Sequence, residues 1–156
     1  MNKQPLSIGT TVPPVTALTQ DSELIDFQTI FSRGTTLVYF YPKANTPGCT
    51  AEACSLRDAY ETLRDKEGNG IEILGVSKDT PAAQKKFQQK YQLPFPLIAD
   101  YDGVVAKAFA VTTIPLTGIT KRQSFLVKNG IIVWSSLAAK TSGAAEEVQN
   151  ALDNLD

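Results

Sequence analysis

Residues 35–41 (TTLVYFY) and residues 71–76 (IEILGV) decide the fold of this chain. Each stretch is an unbroken run rich in β-branched, aromatic and aliphatic residues, which is typical of a strand buried on both faces of a sheet. A segment long enough to form a helix separates them. Strand, helix and strand in this order predict a parallel pair joined by a right-handed crossover.

The segments on either side predict a mixed α/β fold. Turn signals and hydrophobic periodicity predict a hairpin at 15–19 and 24–26, a helix at 81–91 capped by Asp79 and Thr80, a strand at 97–99, a helix at 103–109, a hairpin at 124–127 and 131–137, and a last helix capped by Thr141 and Ser142. We therefore expect one thioredoxin-like domain over residues 1–156. Its central mixed β-sheet is flanked by helices and extended by the N-terminal β-hairpin.

Composition argues against several classes of protein. Of the 156 residues 42% are hydrophobic and 20% charged, and the net charge is -1. Because no basic run is present, we expect neither a nucleic acid nor a membrane as partner. No apolar stretch has the length of a membrane span and no secretory signal is recognisable, so we expect a cytoplasmic protein. The short C-terminus favours a monomer.

Two cysteines and no histidine restrict the chemistry. Cytoplasmic thiols are kept reduced, so the cysteines are expected to be reactive, ligating or incidental rather than permanently bridged. Without histidine there is no imidazole base, and two cysteines leave no structural zinc site. We expect no metal and no cofactor, and a reactive cysteine must be activated in another way.

The segment that carries the chemistry is 41–58 (YPKANTPGCTAEACSLRD), which leaves the first buried strand and enters a helix. Open α/β sheets place their sites at the carboxyl ends of strands. Thr46 and Pro47 suit the N-cap and the first helical position, which puts Cys49 in the first turn. Unpaired N–H groups and the helix dipole favour an anion there, so Cys49 is a candidate thiolate.

Helical phase separates Cys49 from Cys54. An apolar stripe that should pack on the sheet contains Cys49, Ala53, Leu56, Tyr60 and Leu63. Cys54 belongs to the more polar side of the same helix. Two Cα atoms five residues apart in a helix are roughly 8.5 Å from each other, beyond the ~7 Å limit for a disulfide. If the two cysteines bond, the helix must first unwind.

The spacing of Pro42, Thr46 and Cys49 resembles the peroxiredoxin active-site loop, and GCTAEAC followed by RD resembles the peroxiredoxin Q or bacterioferritin-comigratory-protein subfamily. The resemblance continues through GVSKDTP at 75–81, LIADYDGVVAKAFAV at 97–111 and RQSFLV at 122–127. It is lost at residues 140–144 (KTSGA), where relatives commonly carry a proline and a Gly-His pair before the last helix.

This resemblance implies an antioxidant thiol peroxidase that reduces hydrogen peroxide and organic hydroperoxides. Cys49 would be the peroxidatic cysteine and Cys54 the resolving one, joined in an intramolecular disulfide that thioredoxin or a similar dithiol reduces. Thr46 and Arg122 would polarise the peroxide. The substrate site would also include Pro42, Gly48 and Glu52.

Simpler interpretations stay open at this point. Free cysteines are commonly small buried apolar residues, Thr46 could serve only as an N-cap, and Glu52 could be a first-turn acid favoured by the dipole rather than the partner of an arginine. Two other classes of protein also fit the fold. A thioredoxin-type disulfide oxidoreductase expects two residues between its cysteines where this chain has four, and a thioredoxin-like binding or holdase module needs no reactive cysteine.

Overall fold

The structure is a computed structural model that describes residues 4–65 and 70–155. In chain order its elements are β1 (Thr16–Thr19), β2 (Leu24–Asp26), α1 (Phe27–Phe31), β3 (Thr35–Phe40), α2 (Pro47–Asp58), α3 (Tyr60–Arg64), β4 (Ile71–Ser77), α4 (Pro81–Tyr91), β5 (Leu97–Ala99), α5 (Val104–Ala108), β6 (Gln123–Lys128), β7 (Ile131–Ser136) and α6 (Ala144–Asp153). The expectation of one domain over 1–156 stays a prediction, because residues 1–3, 66–69 and 156 lie outside the described residues.

A seven-stranded mixed sheet has the order β2-β1-β5-β4-β3-β6-β7. Strand β4 pairs in parallel with β3 and β5, while β6 is antiparallel to β3 and β7 is antiparallel to β6. The β1–β2 hairpin pairs with β5 and extends that edge. The predicted thioredoxin-like α/β arrangement with an N-terminal hairpin is confirmed. None of the helices in the described residues is long and apolar enough to cross a membrane.

Strand β3 supplies both hydrophobic cores because all six of its residues are buried. Leu37 and Tyr39 face the core formed with α2, α4 and α6, whereas Val38 and Phe40 face the core formed with α1 and α5. Alternation of side chains along a strand explains this division. Burial on both faces fixes the end of β3, and therefore the start of the loop that leads to Cys49.

Three local features differ from the sequence-based expectations. Helix α1 was not expected, because five residues are too few to give a periodic pattern. The helical stripe from Cys49 to Leu63 is divided at Ala59 into α2 and α3. The predicted cap of the last helix by Thr141 and Ser142 is wrong: Gly143 occupies the N-cap position of α6.

Candidate active site

The loop at residues 41–46 carries the chain from β3 to α2. Thr46 has the extended conformation of an N-cap (φ -99°, ψ 158°) and Pro47 opens the helix, as the sequence predicted. Cys49 therefore lies in the first turn of α2, where it is only 1% exposed. Cys54 lies on the same continuous helix and is half-buried, and both are free thiols.

Arg122 provides the cation at this site. Strand register pairs Phe40 with Gln123, which brings Arg122, the residue before β6, next to the start of the loop at residues 41–46. The Nη1 group of Arg122 donates to Cys49 Sγ at 3.5 Å and to Glu52 Oε1 at 2.7 Å. One guanidinium thus contacts both the thiol and a buried acid, and it stays charged at any working pH.

Gly48 leaves room for this approach. A Cβ atom at position 48 would lie 2.9 Å from Nη2 of Arg122. Any larger residue would push the guanidinium away from the sulfur of Cys49. The resemblance assigned Gly48 to the substrate site, and the close approach of Arg122 explains why a residue without a side chain is needed at this position.

Thr46 uses its hydroxyl differently from a capping residue. Its Oγ1 donates to the carbonyl oxygen of Lys43 at 2.7 Å, and within the described part of the chain it makes no side-chain cap hydrogen bond. The position is that of an N-cap, but the predicted capping bond is absent. Because the hydroxyl proton is already committed, Oγ1 is left to accept a hydrogen bond. Pro42 is half-buried in the bend that follows β3.

A buried polar network holds the loop at residues 41–46, and it was not predicted from the sequence. Tyr41 donates its hydroxyl to Gln84 Oε1 at 2.6 Å, and Gln84 Nε2 donates to Ser77 Oγ at 2.9 Å. Ser77 in turn donates to Asp79, whose Oδ2 also accepts from the backbone N–H of Ala44 at 2.8 Å. Asp79 was expected to cap α4, but it binds the loop across 35 positions of sequence.

Glu52 is a buried acid with one unpaired oxygen. It is 1% exposed, and its Oε2 finds no hydrogen-bond partner among residues 4–65 and 70–155. Burial raises the pKa of Glu52 from 4.5 to about 8, and the charge and hydrogen bond of Arg122 offset this only in part. Burial disfavours the charged carboxylate, so Glu52 holds its proton at neutral pH. The positive charge of Arg122 is then not neutralised by Glu52 and can interact with the sulfur of Cys49.

Stability should fall with rising pH because of Glu52. The folded chain keeps this proton up to a pKa of about 8, whereas the unfolded chain releases it near 4.5. The native state binds more protons between these values, so its free energy of unfolding decreases there by at most about 1.4 kcal/mol per pH unit. Urea unfolding of the parent and of Glu52→Gln from pH 5 to 8 should give a flatter profile for the variant.

The matched control is Glu72→Gln, which changes a glutamate whose side chain is 44% exposed and paired with Arg33 at 2.9 Å. It should leave the slope of the pH profile as it is in the parent. Parallel profiles for the parent and Glu52→Gln would contradict the raised pKa of Glu52.

No group of three or more metal-ligating side chains that could hold a metal ion occurs within the portion of the chain that the structure covers. The groups that the structure brings together here are the sulfur of Cys49, the guanidinium of Arg122 and the carboxyl group of Glu52. Such a site can hold a thiolate and place hydrogen-bond donors next to it.

Comparison with known proteins shows which family this chain resembles. The family model described as AhpC/TSA matches residues 8–135. A peroxiredoxin Q of rice (Oryza sativa subsp. japonica), described as chloroplastic, is 36% identical over 128 residues, covering 81% of this chain and 57% of the relative. The chain thus spans little more than half the length of that relative. A Coxiella burnetii protein assigned as a peroxiredoxin bcp is 33% identical over 155 residues, covering 94% of this chain and 99% of that protein.

Solved structures agree with these relatives. The bacterioferritin comigratory protein of Xanthomonas campestris, studied for its alkyl peroxide reduction activity, superposes with a TM-score of 0.81. It is 26% identical in sequence, and the superposition covers 96% of this chain and 98% of that one. The two chains therefore share the same overall fold.

Proposed function

Because the chain belongs to the AhpC/TSA family, in its peroxiredoxin Q and bcp group, we propose that it is a thiol peroxidase. Its substrates are hydrogen peroxide and organic hydroperoxides. The observation that carries this proposal is the 3.5 Å contact between the guanidinium of Arg122 and a cysteine sulfur in the first turn of a helix. Both features favour the thiolate, which is the reactive form of cysteine.

In the first step the sulfur of Cys49 attacks one peroxide oxygen. A sulfur–oxygen bond forms, the oxygen–oxygen bond breaks, and the departing oxygen leaves as water or an alcohol after taking up a proton. The free lone pairs of Thr46 Oγ1 can accept a hydrogen bond from the peroxide O–H. Arg122 donates to the oxygens while negative charge develops on them, which stabilises the transition state more than the bound substrate. Pro42 shields the product from bulk water.

In the second step Cys54 resolves the sulfenic acid at Cys49. The Cys54 sulfur attacks, a disulfide forms and water leaves. Because α2 is continuous through both cysteines, its first turns must unwind for this bond to close. A disulfide in an unwound segment is open to attack by thioredoxin or a similar dithiol, which returns both thiols.

The proposed cycle bears on the oligomeric state and the compartment of the enzyme. Both cysteines lie on one helix, so no second subunit is needed to complete the reaction, which supports a monomer. A reducing cytoplasm suits thiols that must be regenerated in every turnover. A disulfide oxidoreductase of the thioredoxin type is less well supported, because four residues separate the cysteines within a continuous helix. The biological role that we assign is antioxidant defence.

Intact mass after one equivalent of peroxide tests the proposal directly. The reduced parent should lose the mass of two hydrogens as the disulfide forms, whereas Cys54→Ser should gain one oxygen as a trapped sulfenic acid. With a dithiol donor in excess, Cys54→Ser should be oxidised once but recycled poorly. If the parent and Cys54→Ser both kept their reduced masses after peroxide was added, neither cysteine would react with peroxide and the proposal would be wrong.

A further inference from the structure

Ser55 links the catalytic helix to the C-terminal helix. Its Oγ accepts a hydrogen bond at 3.0 Å from the backbone N–H of Ala145, in the first turn of α6. The N-cap residue of α6 is Gly143, which has no side chain to accept this proton. The first N–H groups of a helix lack intrahelical partners, so a hydroxyl on α2 supplies one that α6 lacks.

Hydrogen bonds of Glu147 hold the start of α6 in place. Glu147 in α6 accepts from Ser136 Oγ at 3.0 Å and from the backbone N–H of Lys140 at 3.3 Å, which ties the helix to the end of β7. The connecting loop also borders the other end of the catalytic helix, where Thr141 Cγ2 would lie 3.5 Å from a Cβ on Gly48. The loop in which the resemblance to relatives is lost therefore packs along α2.

We propose that Ser55 is a positioning residue, whose hydrogen bond to Ala145 sets how readily α2 unwinds and thus how fast Cys54 reaches Cys49. This inference rests on the disulfide of the proposed function. Ser55 directly follows Cys54, so it must move when that cysteine leaves the helix. The hydrogen bond to α6 then breaks each time the disulfide forms.

Contacts on both sides of Ser55 anchor the segment that contains it. On one side, Ala44 is held by Asp79 at 2.8 Å. On the other, Arg57 Nη1 donates to the carbonyl oxygen of Tyr91 at 2.8 Å, which anchors the end of α2 to α4. Unwinding that extends from Cys49 through Cys54, between these anchors, releases Ser55 from α6.

Two reactions compete for the sulfenic acid at Cys49. Attack by the Cys54 thiol gives a disulfide and water, whereas attack by the sulfenic acid on a second peroxide gives a sulfinic acid and water or an alcohol. Only the first needs the helix to unwind. A link that keeps α2 folded therefore slows disulfide formation and leaves more time for overoxidation. It lowers the peroxide concentration at which the disulfide and the sulfinic acid form in equal amounts.

A double-mutant cycle tests the link, with product ratios read by intact mass across a peroxide series. Ser55→Ala removes the acceptor, and Ala145→Pro removes the donor at a position in the first turn where proline is tolerated. The loss of a helix cap changes an equilibrium constant about fivefold. Each variant should therefore need about five times more peroxide before the sulfinic acid and the disulfide form in equal amounts. The double mutant should go no further than the single variants, because both remove the same hydrogen bond.

The cycle separates this link from other effects of the substitutions. Changes in the intrinsic helix propensity of α2 and α6 act independently and cancel in the coupling term. A purely structural role would lower the free energy of unfolding, measured in parallel, without a coupled shift in product ratio. Ser55→Thr keeps a hydroxyl acceptor and should retain the product ratio of the parent.

Each outcome decides one of the two proposals. If the parent forms no Cys49–Cys54 disulfide, the proposed function fails and this inference fails with it. If the parent forms the disulfide but the effects of Ser55→Ala and Ala145→Pro multiply in the double mutant, only this inference is overturned. If Ala145→Pro does not fold, equal product ratios in Ser55→Ala and Ser55→Thr overturn it.

Discussion

Replacing Cys49 by serine should reduce peroxide consumption to the background rate. The hydroxyl of serine stays protonated at neutral pH, and the chain has no histidine that could activate it. Loss of a nucleophile that no other group replaces lowers the rate on the order of a thousandfold or more. The measurement is the loss of hydrogen peroxide, and separately of an organic hydroperoxide, with thioredoxin and its reductase as electron donor.

Cys54→Ser is the matched control, since it makes the same substitution five positions along the same helix. It should retain one rapid oxidation event per molecule, which separates the attacking sulfur from the resolving one. Circular dichroism should show that both variants are folded, because serine is nearly isosteric with cysteine. Equal turnover by the parent and Cys49→Ser would overturn the assignment of Cys49 as the attacking sulfur, and no turnover above background by either protein would favour a binding or holdase module.

Replacing Arg122 by methionine should lower kcat/KM for peroxide by about a hundredfold to a thousandfold, the usual cost of removing one donor from a developing anion. Methionine keeps much of the aliphatic bulk but removes the cation that contacts Cys49 Sγ at 3.5 Å. Steady-state kinetics over a series of peroxide concentrations measure this effect.

Two further variants identify the cause of the Arg122 effect. Arg33→Met removes another arginine that pairs with a glutamate at 2.9 Å, but on an exposed surface, and it should behave like the parent. Arg122→Met combined with Glu52→Gln also removes the buried acid that accepts a hydrogen bond from Arg122 at 2.7 Å. The double variant should stay as inactive as Arg122→Met. Recovery of activity would mean that Arg122 acts mainly as the hydrogen-bond partner of Glu52 and not as the cation at Cys49.

Most elements of the fold could be predicted because their signals are local. Helix α4 begins and ends where proline and periodicity placed it, and the turn at Asn129 and Gly130 joins β6 to β7 as expected. The position of Cys49 in the first turn also followed from its neighbours, since Thr46 and Pro47 mark the start of a helix. Helix α1 was missed because five residues carry too little periodicity.

Contacts between distant segments could not be predicted from the residues alone. Nothing local distinguishes the serine of Ser55 from a polar surface residue, and its partner on α6 lies 90 positions away. The cap expected from Thr141 and Ser142 was plausible by local rules, which contain no information about a neighbouring helix. The raised pKa of Glu52 likewise depends on burial by the whole fold.

The sequence by itself determined the order of the strands and of the longer helices, the thiol at the start of a helix, and the separation of the two cysteines by helical phase. These depend on hydrogen bonds and side-chain periodicity within a few residues. The family resemblance pointed to Arg122, but only the tertiary structure brings its guanidinium to 3.5 Å from Cys49 Sγ, because Arg122 lies 73 positions away and reaches the sulfur through the pairing of β6 with β3. That pairing depends on the packing of the whole sheet, which no short stretch of sequence encodes.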